Sequence, residues 1–487
     1  MSASPRFSIP ETESLFMADY HSPIHDGALK SLCANIEKNN RIAPGDFERF
    51  GVKRGLRNAD GTGVMAGLTR VCSVDGYYVA DGERVPQDGR MIYRGIDMAD
   101  IIRGCEAEQR FGFEEVIWLL LMGTLPTETQ LDSFSKLLAD FRELPDGFIE
   151  DMIMKAPSPN IMNKLARCVL ALYSYDENPD DLSLENVLRQ CIQIIAQLPG
   201  IMVYAYQVKR KNSYGQSMYI HQPKHEYGTA QNILRSIRSS KQFTAEEARL
   251  LDLCLIMHAE HGGGNNSSFT ARVLTSSGTD TFSVIAGAIG SLKGPKHGGA
   301  NIKVAEMVQD IRESVSDITD EGQVADYLVK ALNREAGDRS GLIYGMGHAV
   351  YTLSDPRAIL LKQKIETFSG CEPYRDEFTL LQLIERLTPY AFATAKGEKR
   401  RICANVDLYS GLVYKMLGIP EDLYTPLFTV ARVSGWAAHR IEELLSGGRI
   451  IRPAYKSVAL PHEFLPLRER AELAPGQDFQ YIPMEER

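Results

Sequence analysis

Helical periodicity beyond residue 100 is the feature that most constrains this fold. Apolar residues there recur with helical spacing in segments of about 10 to 20 residues that Pro and Gly separate, and alternating runs are too few for a sheet. The clearest predicted helices are Phe113 to Met122, Leu182 to Gln197, Glu246 to His261, Ser283 to Leu292, Ile302 to Glu313, Gln323 to Glu335, Leu408 to Leu417 and Pro426 to Leu445. The pattern predicts a mainly all-α protein.

The region before residue 100 has a different pattern. Between Val71 and Arg94, β-type residues surround Asp-Gly turns, which predicts a small hairpin and a minor β element near the N-terminus. Residues 1–54, which several prolines interrupt, are predicted to be an N-terminal extension with one helical stretch from Ala28 to Lys38.

Bulk properties narrow the functional classes. The length of 487 residues suggests two or three structural units, and a net charge of −9 gives no positive field for nucleic acid. The eight cysteines include no CxxC pair, so we expect reduced thiols. The sequence lacks both a run of about 20 apolar residues and a signal-peptide pattern, so we expect no membrane association and a cytoplasmic location.

Four of the ten histidines, His258, His261, His297 and His348, fall in one third of the chain beside glycine-rich or helix-ending sequence. The His258 and His261 pair has zinc-like spacing around Glu260, but HExxH spacing and an adjacent third ligand are both missing. Histidines that interact with the last carbonyls of a helix are the alternative.

His297, in GPKHGGAN, is predicted to lie at or just before a helix N-terminus. The positive end of the helix dipole disfavours a cation there, so a neutral imidazole is expected, suited to donate a hydrogen bond to a developing enolate oxygen. A histidine packed in a turn is the alternative.

His348 and Arg357 belong to one predicted loop. No Asp, Glu, Lys or Arg occurs between Arg339 and Asp355, so His348 is expected in an apolar, glycine-rich segment that a ligand can approach closely. Arg357 follows the Asp-Pro turn and can grip a carboxylate with two hydrogen bonds, although a surface salt bridge is the usual role of a lone arginine.

Arg432 is the only Asp, Glu, Lys or Arg in the run LYTPLFTVARVSGWAAH, and a buried guanidinium needs an anionic partner from the protein or a ligand. Asp407, in NVDLYSG, precedes a predicted helix, so an N-cap is one interpretation and an ionised carboxylate available as a base is the other.

In order, HAEHGGGN, GPKHGGAN, GMGHAVYTLSDPR, NVDLYSG, FTVARVSGW and GRIIRP resemble the successive signatures of citrate synthases. The resemblance extends upstream to GLTRVCSVDG, YRGIDMADI and FEEVIWLLLMGTLPT, and covers roughly residues 55 to 455.

The resemblance implies a division of labour among the site residues. His297 donates to the acetyl-CoA carbonyl, Asp407 takes a methyl proton, and His348 polarises the oxaloacetate ketone. His261 hydrogen-bonds the same substrate, Arg357 and Arg432 clamp its carboxylates, and Arg452 comes from the partner subunit. No metal and no permanently bound cofactor are implied, since acetyl-CoA is a substrate.

The resemblance also implies a homodimer with a shared active site, in which higher oligomers are possible and two domains close over the substrates. The large helical domain comprises residues 55–297 and 413–487, and the small one residues 298–412. One departure is Gly262, where many family members have an acidic residue directly after the motif histidine, and altered local packing is expected there.

Two alternatives to citrate synthase stay open. A 2-methylcitrate synthase uses the same residues on propionyl-CoA, and one methylene in an apolar pocket changes binding by only about 1–3 kcal/mol. A catalytically silent CoA-binding or assembly protein belongs to another class, which the intact Asp407, His297 and His348 disfavour.

Overall fold

A computed structural model describes residues 41–58, 62–80, 83–397 and 401–470, together with scattered positions between 30 and 40. The predicted turn at Asp81 and Gly82 and part of the predicted helix from Ala28 to Lys38 lie outside the described residues. The chain divides into two compact units. The first comprises Met1–Val64 and Arg452–Arg487, and the second is Met65–Ile451.

The second unit is dominated by helices, as the sequence predicts. The helices of the described residues are α1 (Pro44–Arg49, in the first unit), α2 (Met98–Ala107), α3 (Phe113–Met122), α4 (Glu128–Asp140), α5 (Ile161–Leu172), α6 (Leu184–Tyr214), α7 (Thr229–Ile237), α8 (Ala245–His258), α9 (Asn266–Ser276), α10 (Thr281–Lys293), α11 (Ala300–Ser314), α12 (Glu321–Leu332), α13 (Pro356–Thr367), α14 (Arg375–Lys396), α15 (Val406–Met416) and α16 (Tyr424–Leu445). Each helix predicted beyond residue 100 is present, with ends that differ by a few residues except at α6. The division into domains at residues 297 and 412 stays a prediction.

The predicted minor β element is confirmed as an antiparallel sheet in the order β1 (Cys72–Ala80), β2 (Glu83–Tyr93) and β3 (Ile96–Asp97). Cys72 pairs with Tyr93, and the register shifts between Asp75 and Tyr77. The predicted turn at Asp75 and Gly76 is therefore wrong, because both residues lie within β1 at this irregularity.

Helix α6 is longer than predicted. It continues through Pro199 to Tyr214, although the sequence pattern ended it at Gln197. Ile201, Met202 and Val203 beyond the proline are buried, so their packing outweighs the backbone hydrogen bond that proline cannot donate. Among the described residues, only this helix is long and apolar enough to cross a membrane. Its apolar window is 89% buried inside the protein, as is typical of a core helix.

Helix α16 lies at the centre of the helical core. It packs against α3, α6, α8, α9 and α10, and its residues from Tyr424 to Ile441 are almost all buried. Its packing explains why the run that carries Arg432 is so apolar.

The backbone of the sheet lies very close to the backbone of the loop at residues 350–354. A Cβ atom on Gly76 would lie 2.5 Å from the carbonyl oxygen of Val350, and one on Gly89 would collide with the carbonyl oxygen of Ser354. The Gly89 backbone N–H donates to Ser354 Oγ at 3.1 Å, and Ser354 Oγ donates to Asp88 Oδ1 at 2.8 Å. Glycine at these two positions therefore permits backbone to approach backbone.

A Gly89→Ala variant tests this contact. The added methyl group must displace the 350–354 loop, so we expect a loss of about 1–3 kcal/mol in the free energy of unfolding, measured by chemical denaturation. Gly104→Ala in α2 is the matched control, because nothing lies within 4 Å of the place that its methyl group would take and alanine favours a helix by about 0.5–1 kcal/mol. Equal stability of the Gly89→Ala variant and the parent would show that the loop yields freely.

Candidate active site

His258 and His261 follow from the way α8 ends. The helix begins at a capping box formed by Thr244 and Glu247 and ends at His258, whose side chain is buried against the Phe428 ring at 4.7 Å. His261 lies beyond the helix end, and its ring centroid is 5.0 Å from that of His348. Among the described residues no group of three His, Cys, Asp or Glu side chains is placed to hold a metal ion.

The hydrogen bonds of His348 fix its tautomer. Its Nδ1 accepts from the backbone N–H groups of Val350 and Tyr351, both at 3.1 Å. In a neutral imidazole the proton must then be on Nε2. The ring also stacks on Tyr351 with centroids 4.5 Å apart. His348 is therefore oriented to donate from Nε2.

Arg357 is a buried residue and not the surface residue that the alternative interpretation assumed. Its Nε and Nη2 donate to the two oxygens of Asp355 at 3.0 and 2.7 Å. Asp355 also caps α13 by accepting from the Arg357 backbone N–H. A paired guanidinium keeps its charge, and the Asp355 carboxylate fixes its plane, which leaves Nη1 as the nitrogen outside the pair.

Arg432 is fully buried with most of its donors unused. Its Nε donates to the His258 carbonyl at 2.7 Å and its guanidinium lies over the Phe428 ring, while Nη1 and Nη2 have no hydrogen-bond partner. His261 Nε2 is buried and unpartnered as well. Unpaired donors on a buried cation point to an anionic ligand, as the sequence indicated.

His297 lies in the turn before α11, as predicted. Burial, followed by the charge of Arg432, lowers its pKa to about 4, so the ring is neutral at pH 7. The predicted neutral state agrees, although burial and not the helix dipole is its main cause. His297 Nε2 lies 3.0 Å from Ser267 Oγ, which also accepts from Trp436 Nε1 at 3.1 Å.

Asp407 is in the first turn of α15, but the N-cap interpretation is wrong. Asn405 is the cap: its Oδ1 accepts from the Asp407 backbone N–H at 3.0 Å. Burial raises the pKa of Asp407 to about 6, and the charges of Arg357 and Arg432 limit the rise. The carboxylate is thus a stronger base than an exposed aspartate and still ionised at pH 7.

Short contacts bring these segments together. Asn301 of α11 donates to Ser410 of α15 at 2.5 Å, which joins the helix that follows the His297 turn to the helix whose first turn carries Asp407. Asn405 Nδ2 donates to the Gly347 carbonyl at 2.8 Å, which ties α15 to the residue before His348. Six of the seven predicted site residues therefore belong to neighbouring segments of the second unit. The seventh, Arg452, is exposed and belongs to the first unit.

Comparison with known proteins agrees with this geometry. The family model "Citrate synthase, C-terminal domain" matches residues 58–454. A citrate synthase of Haloferax volcanii is 31% identical over 90% of this chain and 99% of its own length. The chain belongs to the citrate synthase family. A 2-methylcitrate synthase of Corynebacterium glutamicum is 33% identical, over 84% of this chain and 98% of its own.

Solved structures of citrate synthases have a similar fold. A citrate synthase of Thermoplasma acidophilum, solved with carboxymethyl coenzyme A and oxaloacetate, has a TM-score of 0.68 and 26% identity, and the match covers 85% of this chain and 98% of that one. The chain is therefore an enzyme of the citrate synthase family, which excludes the catalytically silent alternative. The individual roles of the seven site residues stay predictions.

Some residues that build the site carried no sequence signal of their own. Ser267, Asn405 and Asp355 contact His297, Asp407 and Arg357. Only their place within the motifs could have marked Asn405 and Asp355, and Ser267 follows the HAEHGGGN motif without belonging to it. Gly262, the departure from the family pattern, has φ +87°, a conformation that suits glycine and strains an acidic side chain.

The pH profile of the parent enzyme tests the raised pKa of Asp407, and an Asp407→Asn variant tests its role. If Asp407 is the base, log kcat/KM of the parent should fall below pH about 6. The variant should lose activity by a factor of at least about 1,000 at pH 7. A limb near pH 4 in the parent would contradict the assignment.

Asp407→Asn should increase the stability of the protein although it lowers the activity. A folded-state pKa near 6, above about 3.9 for an exposed aspartate, means that ionising Asp407 opposes folding. This penalty is absent below about pH 4, grows up to pH 6 and is constant above. Asp407→Asn should therefore be more stable than the parent at pH 7 by roughly 1–3 kcal/mol and equally stable at pH 4, as urea unfolding will measure.

Proposed function

We propose that the enzyme condenses acetyl-CoA with oxaloacetate and hydrolyses the resulting thioester to citrate and CoA. Two features of the site carry the proposal. Arg432 has two buried guanidinium nitrogens without a hydrogen-bond partner, and the His348 ring is oriented to donate from Nε2. An arginine and a histidine donor together suit a molecule that bears a carboxylate and a ketone. The complex of the Thermoplasma acidophilum relative, which contains oxaloacetate, supports the same choice.

The first step is removal of a methyl proton from acetyl-CoA by Asp407. A carboxylate with a pKa of about 6 cannot deprotonate a thioester unless the enolate is stabilised as it forms. His297 supplies the donor. The Ser267 hydroxyl has one proton, and both Asn265 Oδ1 at 2.8 Å and His297 Nε2 at 3.0 Å can accept it. The proposed donor requires Ser267 to give this proton to His297 Nε2, which places the ring proton on Nδ1. One such donor contributes roughly 3 kcal/mol.

In the second step the enolate carbon attacks the oxaloacetate ketone, and His348 Nε2 donates a hydrogen bond to the ketone oxygen as it becomes an alkoxide. The proton that Asp407 removed from the methyl group balances the alkoxide, which becomes the hydroxyl. Arg432 and Nη1 of Arg357 bind the carboxylates of oxaloacetate, and His261 forms a hydrogen bond with the same substrate. Water then cleaves the thioester, which gives citrate and CoA. Acyl-CoA is consumed as a substrate, and we propose that no cofactor is permanently bound.

We also propose a homodimer in which Arg452 completes the partner's site. Arg452 lies at the start of an irregular segment with large exposed apolar side chains: Tyr455 is 95%, Phe464 83% and Leu460 74% exposed. Exposed apolar residues on a segment without secondary structure favour docking on another chain.

A cytoplasmic location is proposed as well. It is supported by free cysteines, all of which are buried except Cys33.

Thiol release from acetyl-CoA and from propionyl-CoA, each with oxaloacetate, tests the reaction. We expect kcat/KM to favour acetyl-CoA by about 10-fold or more, with no release in the Asp407→Asn control. Preference for propionyl-CoA would make the enzyme a 2-methylcitrate synthase, which the 33% identical Corynebacterium glutamicum relative keeps as the second candidate. No release with either thioester would overturn both.

Mixing two inactive variants tests the shared site. Arg452→Ala and Asp407→Asn each disable both sites of their own homodimer. A hybrid dimer has one intact site, since one chain supplies Asp407 and the other Arg452. After dissociation and reassembly we expect about a quarter of the parent activity, from statistical mixing of the two chains. Hybrids that form, as shown by a tag on one chain, and stay inactive would refute the shared site.

A further inference from the structure

A buried chain of charged groups lies behind the proposed oxaloacetate site. Glu260, between the two motif histidines, is fully buried, and its Oε1 is 2.8 Å from His439 Nε2. On the other side of that ring, Arg272 Nη2 is 2.7 Å from His439 Nδ1. A guanidinium can only donate, so Nδ1 accepts and the ring proton is on Nε2. His439 therefore donates from Nε2 to the Glu260 carboxylate.

The positive charge of Arg272 is balanced elsewhere. Arg272 forms ion pairs with Glu442 and, at 2.8 Å, with Glu443. Glu442 in turn accepts from Thr69 Oγ1 and from the Arg70 backbone N–H, both at 2.7 Å. Two carboxylates thus oppose Arg272 directly, and the negative charge of Glu260 is left for another partner.

That partner is Arg432. Among the charged groups around Arg432, Glu260 acts most strongly, and it opposes the fall that burial causes in the pKa of the guanidinium. Glu260 Oε2 and both terminal nitrogens of Arg432 are buried without hydrogen-bond partners. A Cβ atom on Gly435 would collide with Glu260 Oε2, so glycine leaves room for the carboxylate. Arg432, Gly435 and His439 share one face of α16, three and four residues apart.

We propose that Glu260 is a positioning and charge-balancing residue that limits how tightly the site around Arg432 holds polyanions. This inference rests on the proposed function, in which a dianion is converted into citrate, a trianion. Arginines that attract oxaloacetate attract the product more strongly, because it carries a third carboxylate. The fixed negative charge of Glu260 repels both, and the trianion more, so that the product can leave.

A Glu260→Gln variant separates charge from shape. The amide keeps the volume and an oxygen that accepts from His439, but the charge is lost. We expect KM for oxaloacetate to fall about tenfold and the citrate inhibition constant to fall further, because unit charges several ångströms apart in a protein interact at least this strongly. The kcat should fall as citrate release slows. A purely structural role predicts the opposite, a raised KM and weaker citrate inhibition, and that result would overturn the proposal.

Two further variants serve as controls. Glu260→Asp keeps the charge and should restore citrate inhibition to within about threefold of the parent. Glu115→Gln removes another buried carboxylate, which lies on α3 and pairs with Arg110, and should change neither constant. Tight citrate binding in Glu260→Asp, or in the Glu115→Gln control, would show that loss of the charge at position 260 is not the cause.

A failure to fold is also informative. If Glu260→Gln is unfolded by circular dichroism, Glu260→Met repeats the measurement with an uncharged side chain of similar length. If both are unfolded, Glu260 serves the fold and the proposal is wrong. The parent enzyme separates the two proposals: no oxaloacetate-dependent CoA release by the parent refutes the proposed function, whereas an active parent with a raised KM in Glu260→Gln refutes only the role of Glu260.

Discussion

The buried guanidinium of Arg432 is the constraint on which the rest of the site depends. Arginine does not lose its charge in a protein, and an unpaired charge in the interior is costly. The structure offers it the His258 carbonyl, the face of Phe428 and the more distant charge of Glu260. None of these occupies its two terminal nitrogens. Helix α16 therefore carries a cation that the fold stabilises only in part, and in the proposed function a substrate carboxylate supplies the missing partner.

The same burial shifts the pKa values of the proposed base and the proposed donor in opposite directions. Loss of water disfavours the charged form of any group, so it raises the pKa of Asp407 to about 6 and lowers that of His297 to about 4. Arg432 lowers both values: it keeps the base ionised and makes the histidine still harder to protonate. At pH 7 the proposed base is therefore mostly ionised and the proposed donor is neutral.

The sequence was sufficient for the helices and the minor β element, because short-range periodicity encodes them. Motif spacing predicted the site residues, and their roles stay predictions. The sequence could not give the partners. Glu260 and His439 are separated by 179 positions and Ser267 and His297 by 30, so only the packing of α16 and α9 brings them together. Two local rules also failed. The side chain of Asn405 caps α15 where Asp407 was expected to, and the buried residues beyond Pro199 carry α6 past a proline.

A helical enzyme has a physical reason to keep a small sheet beside its site. The loop from His348 to Asp355 carries the proposed donor His348 and the carboxylate that pairs with Arg357, yet it contains no regular structure of its own. Side chains on a helix surface keep neighbouring backbones well apart, whereas a strand with glycine presents bare backbone. Gly76 and Gly89 let the hairpin contact Val350 and Ser354 directly, and Tyr351 donates its hydroxyl to the Arg90 carbonyl at 3.4 Å. The hairpin thus supports the loop from outside, and the tautomer of His348 depends on that support because Val350 and Tyr351 supply the two N–H groups that fix it.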